Sequence, residues 1–306
     1  MIKTKTLFIL GAGASAPFEY PTGIQLRNLI CGRTRKAAVV QALVPVNEKE
    51  DESFYAQSVD KFITEFSRSS LYSIDFFLEH RKEFMNIGKM TIASYLLPCE
   101  RDQRLRDSGD NWYMYLYDRL KSSFEEFDKN EISFITFNYD RSLEQFLFEA
   151  LANQFNKSYQ ECAEKIKNIP IIHLYGQLDF LPWQNGNGFP YLYQKDSFVR
   201  LRNARDNIKL LTEEREVGES QEFQAAYKLI EKADKIYILG FSFDETNLER
   251  LNVSLMKDKT ITATAYELER SKRRWVEQHF RSKINTDIFL LELDALSLLK
   301  EHLAIE

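Results

Sequence analysis

Polar side chains and glycines gather where short apolar runs end, and their types suit chemistry on a nucleotide. "FITFNYD" closes on Asn138 and Asp140, and "IIHLYGQLD" sets His173 beside Tyr175 and Gly176. In "TLFILGAGASAPFEYPTG", Gly11, Gly13 and Ala16 satisfy G-x-G-x-x-A directly after an apolar run, the context in which backbone amides hold a pyrophosphate. A second glycine exit, "YILGFSFDETN", presents Gly240, Ser242 and Asn247, and the next run ends in Glu267, where a carboxylate can meet a ribose diol.

Each residue also has a plainer reading. The glycines can be simple turns, Asn138 can start a helix near Ser142, and His173 can be a satisfied core histidine. Of the four histidines, His80 and His279 sit in charged helical sequence and His302 near the C-terminus, so only His173 stands where a strand meets a glycine turn. A hydride-transfer dehydrogenase is disfavoured. Its pattern wants an acid about 20 positions after the glycines, yet "LICGRTRKAAVV" has none and the first acid after Glu19 is Glu48.

These residues need a scaffold that brings strand ends together. Six runs read as strands: Thr6 to Leu10, Ile132 to Phe137, Ile169 to Tyr175, Lys235 to Phe241, Thr260 to Tyr266 and Asp287 to Leu293. Apolar, unalternating strands separated by helical patterns predict an α/β fold: a Rossmann-like, doubly wound, mostly parallel sheet. Leu143, Phe146, Leu147 and Ala150, and again Leu248, Leu251 and Leu255, recur at helical spacing and predict core-facing stripes. Residues 33–130 show helical periodicity and little strand character, so we expect a helical insertion between the first and second strands of one domain spanning 1–306. "LPWQNGNGFP" reads as a surface loop.

Composition narrows the classes. The net charge of -5 argues against a polyanion partner, and the Arg33, Arg35, Lys36 and Lys272, Arg273, Arg274 groups read as solvated faces. Three widely spaced cysteines without C-x-x-C suggest neither a disulfide framework nor a zinc knuckle, so a reducing cytoplasm and no metal are expected. No run approaches the roughly 18 apolar residues of a membrane span.

Taken together, the motifs resemble the sirtuin superfamily. "GAGAS" is similar to the sirtuin glycine motif, "TFNYD" to T-Q-N-I-D, "HLYG" to the histidine-glycine motif and "GFSF" to the G-T-S exit, in the same order. With "SIDFFLEHR" and "GFSFDETNLERL", the chain more closely resembles prokaryotic sirtuin-like effectors of antiphage defence. That resemblance implies hydrolysis of NAD+, as substrate, to nicotinamide and ADP-ribose. It implies that Asn138 orients the nicotinamide ribose and the attacking water, and that His173 acts as base or ribose partner. Asp140 would serve the carboxamide, Gly11, Ala12, Gly13, Ala14 and Ser15 the pyrophosphate, and Thr22 a loop beside the ribose. Asp75 would close the pocket from the insertion or cap a helix. Control by self-assembly or by a partner such as an ATPase is also implied.

Three departures stand out. There is no zinc ribbon, Phe137 replaces the glutamine, and Tyr175 precedes the glycine while His173 lies two residues earlier. Residues i and i+2 of a strand share a face, so His173 is still expected to reach the site. Two rival readings remain: a deacylase or ADP-ribosyl transferase with an acceptor cleft, and a non-catalytic module that binds NAD+ or ADP-ribose.

Overall fold

The structure, a computed structural model, describes residues 1–44, 52–107, 109–192, 197–210 and 220–303. Glu48 lies outside the described residues. Six strands form one sheet: β1 (Thr6–Leu10), β2 (Ile132–Thr136), β3 (Ile171–His173), β4 (Lys235–Leu239), β5 (Thr260–Thr264) and β6 (Ile288–Leu291). All pairings are parallel and the order is β3-β2-β1-β4-β5-β6. This is the doubly wound order, and the chain reverses its direction of travel between β1 and β4, where such sheets open a crevice at their carboxyl ends.

Several strands are shorter than their apolar runs. β3 stops at His173 and β4 at Leu239, because the chain turns at Gly176 and Gly240, both left-handed with φ of 69° and 60°. All five residues of β1 are buried, since sheet covers both its edges and helices both its faces. Phe8 lies opposite Phe134 and Tyr237 in register, and the rings stack at 5.2 and 5.5 Å. This aromatic row ties the three central strands together.

Between β1 and β2 run α1 (Ala12–Ser15), α2 (Gly23–Cys31), α3 (Lys36–Leu43), α4 (Glu52–Ser69), α5 (Ile74–His80), α6 (Met85–Leu96), α7 (Arg104–Asp107) and α8 (Trp112–Arg119). Helices therefore fill the chain between the first and second strands. Next come α9 (Ser142–Phe155) and α10 (Tyr159–Lys167) before β3, then α11 (Phe198–Asn207) and α12 (Gln221–Lys232) before β4. Helices α13 (Glu245–Arg250), α14 (Arg270–Ile284) and α15 (Ala295–His302) complete the chain. Leu143 and Leu147 of α9, and Leu248 and Leu251, are buried as their spacing requires.

Helix α11 packs on α3 and α6, so the helical layer draws on two separate stretches of chain. A buried charge cluster fastens them. The Glu100 carboxylate receives Arg141 Nε at 2.6 Å and Nη2 at 2.8 Å, and Arg200 Nη2 at 2.5 Å. Arg141 also donates to the carbonyls of Phe180, Phe189 and Pro190. These bonds explain why "LPWQNGNGFP" is not the free surface loop its composition suggests: Leu181 and Trp183 are buried, with Trp183 stacked on Phe148.

Candidate functional site

The exits of β1 and β4 meet backbone to backbone. Gly11 N–H donates to Leu239 O, and Gly13 N–H to Gly240 O, both at 2.9 Å. A Cβ on Gly11 would fall 2.5 Å from Gly240 O, and one on Gly240 only 2.0 Å from Ala14 N, so close approach forbids side chains here. Ala14 N–H donates to Gly11 O at 2.9 Å. Three amides of the expected pyrophosphate cradle over Gly11 to Ser15 are thus committed to the fold, which a motif alone does not reveal.

Asn138 joins this junction from the exit of β2. Its Nδ2 donates to Gly11 O and to Ser15 Oγ, each at 3.0 Å, while its own amide donates to Thr136 Oγ1 at 3.0 Å. Two bonds on one side of the amide orient the other: among the described residues Oδ1 accepts no hydrogen bond, and Asn138 is half-buried. An oriented acceptor for a hydroxyl or a water results.

Asp140 is buried, and both its carboxylate oxygens are engaged by neighbouring groups. Oδ2 accepts from Ser15 Oγ at 2.7 Å, and Oδ1 accepts from both the amide and the hydroxyl of Ser142 at the start of α9. Burial raises its pKa, against the Ser142 and Ser15 bonds that lower it. Its role is to hold the β1 and β2 exits together.

His173 and Tyr175 do not share a face, because β3 ends at His173 and alternation no longer governs residue 175. His173 Nδ1 donates to Asn138 O at 2.9 Å and Nε2 to Glu144 Oε1 at 2.5 Å. Both ring nitrogens are thus engaged, Nδ1 by a carbonyl and Nε2 by a carboxylate, an arrangement that favours the charged ring. Burial works against that charge, but the Glu144 carboxylate and the two bonds prevail, and the pKa is raised. Both nitrogens are engaged by protein groups, and the Nδ1 bond fixes the Asn138 carbonyl.

Tyr175 points elsewhere. Its hydroxyl donates to Asn247 Oδ1 at 2.7 Å and accepts from Arg250 Nη1 at 2.9 Å, and its ring meets Phe137, which meets Phe241. Burial pushes the phenol well up, with Arg250 only partly offsetting it, so Tyr175 stays protonated. Arg250 Nη2 continues to Glu79 Oε1 at 2.9 Å.

Helix α5 thereby reaches the sheet from the insertion. Asp75 and Glu79, four apart and on one face, meet the Tyr139 hydroxyl at 2.5 Å and Arg250 respectively. Asp75 therefore does come to the strand exits. Tyr139, Glu79, Arg250 and Glu144 escaped the sequence reading. The i, i+4 acids in "SIDFFLEHR" were the one legible signal, whereas a single Arg or Glu on an amphipathic helix looks like any solvated charge.

Other expected residues stand apart. Thr22 is the N-cap of α2, its amide bonded to Gln25 Oε1 at 2.8 Å. Ser242 and Glu267 are exposed, the latter with φ of 56°, and Gly240 N–H is held by Thr264 Oγ1 at 2.8 Å. Two cavities lie away from this junction: about 320 Å³ beside Arg106 and Phe146, and about 270 Å³ at the opposite edge of the sheet beside Lys5 and Lys129. Among the described residues no group of three His, Cys, Asp or Glu could hold a metal, and no helix is long and apolar enough to cross a membrane. No protein-family model matches the chain, and no curated protein matches it.

Proposed function

We propose that the chain binds NAD+ at the carboxyl edge of β1, β2 and β4 and hydrolyses it to nicotinamide and ADP-ribose. The observation that carries this reading is Asn138. Its amide is locked by Gly11 and Ser15 at the point where the sheet reverses, and among the described residues Oδ1 accepts no hydrogen bond. Open α/β sheets bind ligands at this point. Nicotinamide leaves as a neutral base through an oxocarbenium-like state, so the site needs mainly to orient the ribose, support positive charge and place one water. An oriented amide oxygen serves the last two tasks.

A sirtuin-like effector of defence that depletes NAD+ in the cytoplasm, controlled by self-assembly or by a partner such as an ATPase, is the wider reading. Its support is the motif resemblance. One observation favours a second reading, a module that binds NAD+ or ADP-ribose without cleaving it: His173 and Tyr175 are both committed to other partners. Incubating the protein with NAD+ and following nicotinamide by chromatography, beside calorimetric titration of NAD+, separates the two. Nicotinamide release supports hydrolysis; binding without release selects the second reading; absence of both sinks them together.

A further inference from the structure

We propose that Asp75, supplied by the insertion and oriented by Tyr139, is the residue that accepts the proton of the attacking water. This rests on the hydrolase reading above. His173 has given both ring nitrogens to Asn138 and Glu144, and Asp140 has given both oxygens to Ser15 and Ser142. Tyr175 is a protonated phenol bonded to Asn247 and Arg250.

Asp75 differs from all three. It is half-buried, and among the described residues the Tyr139 hydroxyl is the one side-chain donor to it, at Oδ1. The Asp75 backbone amide also bonds the carboxyl, so the acid is held by one hydroxyl and one amide and by no cation in direct contact among the described residues. Tyr139 follows Asn138 directly in the chain, so Asp75 is bonded to the residue next to the oriented amide.

The proton balance is simple. The water oxygen forms a bond to C1′ of the ribose as the C1′–N1 bond to nicotinamide breaks. The bonding pair stays on the ring nitrogen and discharges the pyridinium. The water's proton passes to the Asp75 carboxylate and then to solvent, so each turnover yields nicotinamide, ADP-ribose and one proton.

The groups around Asp75 suit this work. Burial raises the carboxyl, and Glu79 one turn away adds to that, while the Tyr139 bond and Arg250 lower it. Tyr175 lies beyond Arg250. Helix α4 and the Lys82–Phe84 turn pack on α5 through Phe62, Phe66 and Phe84 against Phe77, and α6 places Gly88 against Leu78. The α4 acid Glu65 is paired with Arg81.

The test is the pH profile of nicotinamide release by the full chain. Wild type should show an acid limb, with activity rising as Asp75 ionises. Asp75→Asn, which keeps an acceptor for Tyr139, should lower kcat about a hundredfold and remove that limb, and Asp75→Glu should restore part of both. Tyr139→Phe deletes a bond that lowers the Asp75 pKa, so its acid limb should move to higher pH. Folding of each variant is checked by circular dichroism. An unchanged acid limb in folded Asp75→Asn or Tyr139→Phe overturns the proposal and leaves the hydrolase reading standing. No release by wild type at any pH overturns both.

Discussion

Gly240 O accepts the amide of Gly13 at 2.9 Å, and a Cβ at position 240 would lie 2.7 Å from the Gly13 Cα. With Gly240 also at φ of 60°, substitution there meets two penalties at once. Gly240→Ala should lose about 3 kcal/mol, combining left-handed strain with overpacking. Urea unfolding measures it, and a loss below about 1 kcal/mol would mean the two exits separate more easily than this contact allows.

The His173–Glu144 pair should make stability depend on pH. Because the folded pKa of His173 is raised, its contribution is fully present below the unfolded value near 6.5 and is lost as pH rises through the raised value. Melting temperatures of wild type should therefore fall as pH climbs above about 6.5. Glu144→Gln should flatten that slope, and identical slopes in the two proteins would refute the pairing. His173→Ala leaves Glu144 buried without its partner and should cost about 3–5 kcal/mol. Activity lost in that variant must accordingly be read beside its stability.

Asn138→Ala removes the oriented oxygen while the buried network of Ser15, Asp140 and Ser142 remains. Nicotinamide release should fall about 10²-fold or more, the loss seen when one preorganised transition-state contact is deleted. The melting temperature should change little by comparison. Full turnover by a folded Asn138→Ala would remove the site assignment.

Glu100 has no exposed side-chain surface and answers two arginines, Arg141 and Arg200. Glu100→Ala should destabilise by about 3–5 kcal/mol, because it strands two buried cations. Limited proteolysis should then cut first near residues 180–190, where Arg141 holds the carbonyls of Phe180, Phe189 and Pro190. Protection equal to wild type would count against the cluster as the fastener of that segment.

The sheet was legible because buried parallel strands must be apolar on both faces. All six runs formed strands, and a glycine after β1 and another after β4 marked the exits. Their boundaries were less legible. The run through Tyr175 keeps its apolar character past the point where β3 stops, since residues beyond a strand can be buried by packing instead of pairing.

Sequence alone determined the α/β class, the glycine-bearing exits and the strand ends that carry Asn138 and Asp140, because apolar runs, helical periodicity and glycine's freedom are local properties. Tertiary structure alone decided what the polar residues do. Whether His173 is a base depends on Glu144 lying 2.5 Å away across 29 residues of chain. Whether Asp75 caps a helix or serves the site depends on Tyr139, 64 residues distant. Hydrogen bonding and pKa are set by partners and burial, which no local pattern encodes.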